Sequence, residues 1–316
     1  MNEFDVIIVG GGPAGLAAGL YAARMNLKAV LLDRGPVGGQ LLNTELIEDY
    51  PGIASILGHE LADKMADHAR EFGLEIRDFQ SVKEVDLVGD GPMKVVRTED
   101  GAEMSAPAVI MAAGGLPRHI EVPGEEALAG RGVSYCAVCD GAFFREQVLA
   151  VVGGGDAALE EADFLTRYAS KVYVIHRRAT LRAQTILQDR ARANAKIEFI
   201  LDAQVEEIVG DGKVRAIRYR QGGASKELEV GGVFIFVGFL PNSGIVKPHL
   251  EHDDQGYLVT DRDTQTSLEG LWAVGDVRAQ LTKQIATAVG DGTTAAVAAS
   301  NYISMLRDRE RVPQTH

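Results

Sequence analysis

The sequence predicts an α/β protein built from one unit used twice, the second copy inserted into the first. Three observations carry this. Two glycine-rich turns, Gly10-Gly11-Gly12-Pro13-Ala14-Gly15 and Gly153-Gly154-Gly155-Asp156-Ala157-Ala158, each lie between an apolar strand and a helical pattern. Each unit is followed by the strands and turn residues of a β-meander. Two similar breaks, Gly114-Gly115-Leu116-Pro117 and Gly238-Phe239-Leu240-Pro241, close the two meanders.

The elements follow in order. Val6–Val9 is a strand entering the first turn, a helix runs to about Arg24, and a second strand, Ala29–Leu32, ends at Asp33. Leu61, Met65, Ala69 and Phe72 recur at helical spacing and Gly73 suits the stop, which makes an amphipathic core-packing helix. Val82–Val85 and Met93–Thr98 lead to a turn at Asp100-Gly101, and the meander is read as ending in the apolar strand Val109–Ala113. The second copy repeats the plan. Val148–Val152 enters the turn, a helix runs to about Tyr168, and Val172–His176 ends at Arg177. Val205–Val209 and Val214–Arg220 lead to Gly222-Gly223, and Val233–Val237 closes the meander. A last apolar strand, Leu271–Val274, precedes Gly275-Asp276-Val277, and Gln284 to Ala299 reads as a long helix of small residues. The charge run Arg307–Arg311 is read as a solvated helix end. With both breaks as linkers, residues 1–116 and 245–316 form one domain and 117–244 a second domain inserted in it. The predicted class is therefore two Rossmann-like, three-layer ββα dinucleotide-binding domains, each βαβ crossover right-handed.

Bulk properties narrow the function. A chain of 316 residues suffices for about two domains. Its 32 basic and 45 acidic residues give a net charge of −13, which argues against nucleic acid or an anionic membrane as the main partner. The start, Met1-Asn2-Glu3-Phe4-Asp5, is acidic, and the apolar stretch after it is broken by the first glycine turn, so it does not read as a signal peptide. No run of about 18 apolar residues is present to span a bilayer. The expected protein is soluble and cytoplasmic, and its 2 cysteines suit an intracellular redox role better than an extracellular disulfide framework.

The two turns call for different nucleotides. Glycines such as Gly10, Gly12 and Gly15, with Pro13 and Ala14 opening the helix, let the backbone approach a pyrophosphate at the positive helix end. Asp33 at the end of the second strand accepts from a ribose 2′-hydroxyl and repels a 2′-phosphate, so this site takes FAD or NAD and not NADP. The second turn offers Gly153, Gly155, Asp156 and Ala157, but its strand ends in Arg177-Arg178, with Arg182 beyond. Guanidinium groups there suit a 2′-phosphate, so this site prefers NADPH to NADH. His176 is read as a packed strand-end residue more than a catalyst. If the helix after Gly275-Asp276-Val277 points at a flavin, its N–H groups and dipole stabilise an anionic reduced ring.

Between the turns lies Cys136-Ala137-Val138-Cys139-Asp140. A zinc site needs two more ligands, and His249 and His252 are a poor match. Inert buried thiols are possible in such a chain, but a redox pair beside two nucleotide sites is the better reading: one thiol attacks a substrate disulfide and the other resolves the mixed disulfide. Asp140 is read as a proton shuttle, or else as a helix cap or turn aspartate. Dithiol and nicotinamide site share the inserted domain, while a flavin would sit in the other. Either they approach opposite faces of the flavin or the inserted domain swings on its glycine-containing linkers.

With these residues in view, the chain resembles the bacterial low-molecular-weight thioredoxin reductases over essentially its whole length. The resemblance rests on Gly10–Gly15, Gly38-Gly39-Gln40-Leu41, Tyr50-Pro51-Gly52, Cys136–Asp140, Gly153–Ala158, His176-Arg177-Arg178, Arg182-Ala183 and Gly275-Asp276-Val277. The Cys-x-x-Cys-Asp inside an inserted nucleotide domain is the most specific of them. The resemblance implies FAD in the outer domain, NADPH in the insertion, a homodimer, thioredoxin as partner, and a domain rotation between half-reactions. It implies that Cys139 lies nearest the flavin, Cys136 exchanges with thioredoxin and Asp140 is the acid/base. For FAD it implies Asp276 at the ribityl chain, Gln284 and Ile285 at the ring, and Gly39, Gln40, Asp49, Gly114, Gly275 and Lys283 around it. For NADPH it implies His176, Arg177, Arg178 and Arg182, and it places Arg131 and Phe143 near the partner-binding loop. The sequence departs from the family pattern at Asp49 (commonly asparagine), Ala113 (threonine), Lys283 (arginine) and Ala142 (phenylalanine). Lys283 and Ala142 bear on docking and partner preference, not on the core chemistry.

Overall fold

The computed structural model describes residues 2–44, 46–89, 91–246 and 248–311. The helices are α1 (Pro13–Arg24), α2 (Gly58–Glu71), α3 (Ala137–Asp140), α4 (Asp156–Leu165), α5 (Thr185–Ala193) and α6 (Ile285–Arg311). The chain separates into two compact units, Met1–Leu116 with Leu240–His316, and Pro117–Phe239. Its second crossing falls inside the Gly238–Pro241 break and not at residue 244. The two crossing segments, Gly115–Pro117 and Phe239–Pro241, pair as a two-stranded sheet.

The outer unit is built on a five-stranded sheet in the order Leu271–Ala273, Ala108–Met111, Val6–Val9, Ala29–Leu32, Glu75–Arg77, with every neighbour parallel. Its central strands are apolar at every position because both faces are covered. Alternation divides them between two cores. Val6, Ile8, Leu31, Ile110 and Trp272 pack with residues of α1, α2 and α6, whereas Ile7, Val9, Val30, Leu32 and Met111 pack with Val85, Val96 and Met104 of the meander. That meander is Val82–Leu87, Lys94–Thr98 and Glu103–Ala106. Where α1 and α6 meet, Gly292 is required: a side chain there would lie 2.1 Å from the Ala14 carbonyl oxygen.

The inserted unit repeats the plan, in the order Val133–Ser134, Gly232–Phe236, Val148–Gly153, Lys171–His176, Ile197–Leu201, again all parallel. Leu149, Val151, Val172, Val174 and Phe234 join Ala137 and the residues of α4 and α5. Ala150, Val152, Ile175, Val233 and Ile235 join the meander Ala203–Gly210, Val214–Gln221, Ala224–Glu229.

Three expectations need correction. The apolar strands near residues 109 and 233 do not close the meanders; Glu103–Ala106 and Ala224–Glu229 do, and the apolar strands return to the parallel sheets. A strand buried at every position, as Ala108–Met111 is, needs cover on both faces, which the meander does not provide. Helix α4 stops at Leu165, because the Thr166, Arg167 and Tyr168 N–H groups bond three residues back and tighten the chain out of the α-helix. Helix α6 continues past Ala299 through the charge run, where Arg307 is paired with Asp5 at 2.6 Å instead of being wholly solvated. Among the described residues no helix is long and apolar enough to cross a membrane.

Candidate active site

The first glycine turn is shaped by close backbone contact. A side chain at Gly10 (φ +109°) would meet the Ala112 carbonyl oxygen at 2.3 Å, and one at Gly15 would meet the Gly10 oxygen at 1.9 Å. Gly12 differs: its nearest neighbour on that side is 3.9 Å away, so the turn is open there. Helix α1 starts at Pro13 with no side-chain cap and no acid in its first turn. Its first N–H groups and positive dipole end are therefore left to an anionic ligand. Asp33 stands beside the turn, its Oδ2 accepting from the Gly11 N–H at 2.5 Å and its Oδ1 from the Gly35 N–H at 2.9 Å.

Other predicted residues gather at the same turn. The Gly38 N–H donates to the Gly11 carbonyl at 2.8 Å, and a side chain at Gly39 would lie 2.9 Å from the Gly12 Cα. Leu41 of the following 3₁₀ turn is buried in a small cluster that also receives Ile285. Gly275 (φ +67°) faces the start of α1, since a side chain on it would lie 3.0 Å from the Ala14 Cβ. Asp276 follows it, and burial pushes its carboxyl above the usual range against the attraction of Lys283. The Lys283 ammonium donates to the Asp276 carbonyl at 3.0 Å and lies 3.5 Å from the Tyr257 ring centroid; burial lowers its pKa. The Gln284 N–H donates to Thr287 Oγ1 ahead of α6. Gln40 and Asp49 are exposed, Asp49 without a hydrogen bond among the described residues, and Gly114 (φ +58°) has open space around it.

Sequence reasoning missed what holds the Gly275 turn. Asp291 of α6 accepts from the Gly275 N–H at 3.1 Å and pairs with Arg278 at 2.7 Å, and Gln280 donates to the Gly275 carbonyl at 3.1 Å. One signal was available: Asp291 is a lone acid within a helical stretch of small and apolar residues. The open face at Gly12, the uncapped α1 and the fixed Asp33 carboxylate fit an adenine dinucleotide without a 2′-phosphate.

The second turn has the same skeleton and other chemistry. A side chain at Gly153 would meet the Phe236 oxygen at 2.3 Å, one at Gly154 would meet His176 Nδ1 at 2.4 Å, and Gly155 is open. His176 is 5% exposed, and burial followed by Arg182, Arg178 and Arg177 holds its pKa low, so the ring is neutral packing under the turn. Arg177, Arg178 and Arg182 are exposed and, among the described residues, none is ion-paired with an acid. Asp156 opens α4 without capping it, and Ala157 follows on the exposed side. The residues fit a nucleotide carrying a further phosphate.

The dithiol leaves the edge strand Val133–Ser134. Ser134 Oγ accepts from the Cys136 N–H at 3.1 Å and donates to the Cys136 carbonyl at 3.2 Å. Cys136 Sγ accepts from the Cys139 N–H at 3.1 Å and so caps α3, while buried Ala137 anchors the turn. Cys136 and Cys139 are joined as a disulfide, Cys139 exposed and Cys136 half-buried. The Asp140 side chain caps neither helical turn, and among the described residues its carboxylate has no hydrogen bond or ion pair, so it is available for proton transfer. Phe143 is 77% exposed beside exposed Ala142, and Arg131 is tied to the Ala127 carbonyl at 2.7 Å.

Comparison with known proteins identifies the family. Residues 4–292 match the family described as pyridine nucleotide-disulphide oxidoreductase. A thioredoxin reductase of Listeria monocytogenes is 48% identical over 96% of this chain and 95% of its own, and that of Bacillus subtilis is 46% identical over 96% of each. Among solved structures, Lactococcus lactis thioredoxin reductase in its FR conformation superposes with a TM-score of 0.92 at 45% identity, covering 96% of this chain and 99% of that one. With a family match over residues 4–292 and similarity over nearly the whole length of both chains, the chain belongs to the pyridine nucleotide-disulphide oxidoreductases and, among them, to the thioredoxin reductases.

Proposed function

We propose that this chain reduces thioredoxin with electrons from NADPH, by way of FAD in the outer unit and the Cys136–Cys139 disulfide. The observation that carries the reading is the disulfide itself, exposed at Cys139, beside an unengaged Asp140, in the unit that also carries the arginine-lined turn. A bound FAD would supply the two-electron chemistry that links hydride donation by NADPH to reduction of the disulfide. The chain's own residues do the rest. Gly10, Gly12 and Gly15 bring the backbone to the FAD pyrophosphate, Asp33 takes its ribose, and Asp276 with Lys283 borders the remainder. Arg177, Arg178 and Arg182 hold the NADPH 2′-phosphate.

Once reduced, the Cys136 thiolate attacks one sulfur of the thioredoxin disulfide. A Cys136–thioredoxin disulfide forms and the other thioredoxin sulfur leaves as thiolate. The Cys139 thiolate then attacks Cys136, which restores the internal disulfide and releases the second thioredoxin thiolate. Asp140 moves the proton exchanged with the Cys139 thiol. Cys136 stays on a fixed backbone through its Ser134 bonds. The reading includes a rotation of the inserted unit about Gly114–Pro117 and Gly238–Pro241, a homodimer, and a cytoplasmic setting, all on the family resemblance and the cysteine usage.

Anaerobic titration of the purified yellow protein with NADPH and, separately, NADH tests it through the visible flavin band. Bleaching by NADPH at far lower concentration than by NADH, reversed by oxidised thioredoxin, is the expected result. Bleaching by neither nucleotide would refute the second site and point to a ferredoxin or flavin donor.

A further inference from the structure

Asp156 poses a problem. A carboxylate on the first residue of a helix is drawn to the helix's own N–H groups, where it competes with a phosphate ligand. In the first turn that position is Pro13, which cannot compete. In the second turn Asp156 is turned aside: Oδ1 accepts from the Gln184 N–H at 2.7 Å and Oδ2 from Gln184 Nε2 at 3.0 Å. The two preceding residues are tied down as well, with the Arg182 and Ala183 N–H groups donating to the Gly154 carbonyl at 2.7 and 3.2 Å. Residues 182, 183 and 184 are thus fastened in succession to the glycine turn. At the other end of the same loop, His176 is wedged under Gly154, which cannot carry a side chain. Arg177, Arg178 and Arg182 lie on a loop held at both ends.

We propose that Gln184 is a positioning residue, acting through Asp156, that sets the preference of this site for a 2′-phosphorylated nucleotide. The proposal rests on the reading of the second turn as the NADPH site. A loop fixed before the ligand arrives loses little freedom on binding, so the guanidinium groups meet the 2′-phosphate without an ordering cost. A nucleotide without that phosphate uses the glycine turn and not the loop, so loosening the loop weakens one nucleotide and spares the other.

The test compares the holoenzyme with Gln184→Ala and Gln184→Glu. Two readouts are taken: KM and maximal rate of flavin reduction with NADPH and NADH, and calorimetric binding of 2′-phospho-AMP and AMP. Gln184→Ala keeps the backbone N–H bond to Asp156 and loses the Nε2 bond; this raises KM for NADPH and Kd for 2′-phospho-AMP about tenfold, with NADH and AMP shifted less than about threefold and the maximal rate kept. Gln184→Glu, which sets a second carboxylate against Asp156, has the larger effect. Equal weakening of all four ligands, or no change in 2′-phospho-AMP binding, would overturn the proposal while leaving the NADPH site standing. Wild-type protein that binds AMP as tightly as 2′-phospho-AMP would overturn the site reading and the proposal together.

Discussion

The two units share a sheet plan but take its outer strand from opposite directions along the chain. In the outer unit the strand beside Ala108–Met111 is Leu271–Ala273, which comes long after the glycine turn; in the inserted unit the strand beside Gly232–Phe236 is Val133–Ser134, which comes before it. Registers place the two continuations alike. Ala273 is level with Met111 and hence with Val9, and Ser134 is level with Phe234 and hence with Val151, so both leave the sheet at the end that carries the glycine turns. One continuation is Gly275-Asp276-Val277, the other Cys136 to Cys139. The sheet settles where chemistry can occur, as parallel sheets do at the carboxyl ends of their strands, and a few residues settle which chemistry it is. The second strands carry the same lesson: one ends in an Asp33 fixed by two backbone N–H groups, the other in exposed arginines.

The largest effect expected separates the two edge continuations. Cys139→Ser removes the sulfur that resolves the mixed disulfide, so thioredoxin turnover falls more than about 10³-fold while the purified protein stays yellow. Steady-state assay with visible absorbance checks both halves, and full turnover would remove Cys139 from the mechanism. Next come two glycines of the first turn, Gly15, which Ala158 replaces in the second turn, and Gly12, which matches Gly155. Gly15→Ala forces a methyl group to within 1.9 Å of the Gly10 oxygen and costs about 3 kcal/mol or more in thermal unfolding of the flavin-free protein. Gly12→Ala, with nothing nearer than 3.9 Å, leaves that unfolding transition in place and weakens flavin retention alone. Equal destabilisation by both would show that the open face at Gly12 is not a ligand seat. Third, the double substitution Arg177→Ala with Arg178→Ala removes charge-assisted bonds and lowers the NADPH-over-NADH preference about 100-fold, read as the ratio of kcat/KM. A ratio that stays put would make these arginines surface charge.

What could be read from the sequence follows from how local the signal is. The glycine turns, Asp33, Arg177 and the dithiol are short-range patterns, in which spacing and residue type already carry the geometry. The placement of Ala108–Met111 is not legible in the sequence because an apolar run announces burial without naming its neighbours. The end of α6 lies beyond what the sequence predicts because the small-residue pattern stops near Ala299, while the helix is continued by contacts such as Arg307 with Asp5, 302 positions away. The Gln184 clamp on Asp156 spans 28 positions, and nothing in either residue's neighbourhood marks it. Asp291 was detectable as an isolated acid, but its partners Gly275 and Arg278 appear only once the helix is folded against the turn.

A smaller effect tests the meanders, the layer least used by the chemistry. The middle strand starts with Lys94 in the outer unit and Val214 in the inserted one, and both are buried, at 1% and 3% exposure. A valine suits such a place and an amine does not. Lys94 is satisfied by the Pro92 and Pro107 carbonyls at 2.9 and 3.0 Å and lies 5.7 Å from the Tyr302 ring centroid. Burial still lowers its pKa from 10.5 to about 8, against the attraction of Glu269. A folded pKa below the unfolded one means that the unfolded chain binds the extra proton between about pH 8 and 10.5, so stability rises with pH through that window and the penalty is complete below it. Lys94→Met leaves two carbonyls without their donor but has no such rise. Urea unfolding of both proteins between about pH 7 and pH 10 is expected to show the wild type gaining on the variant as pH increases. Parallel stability curves would mean that the Lys94 ammonium is solvated, and that the two meanders begin their middle strands in different environments.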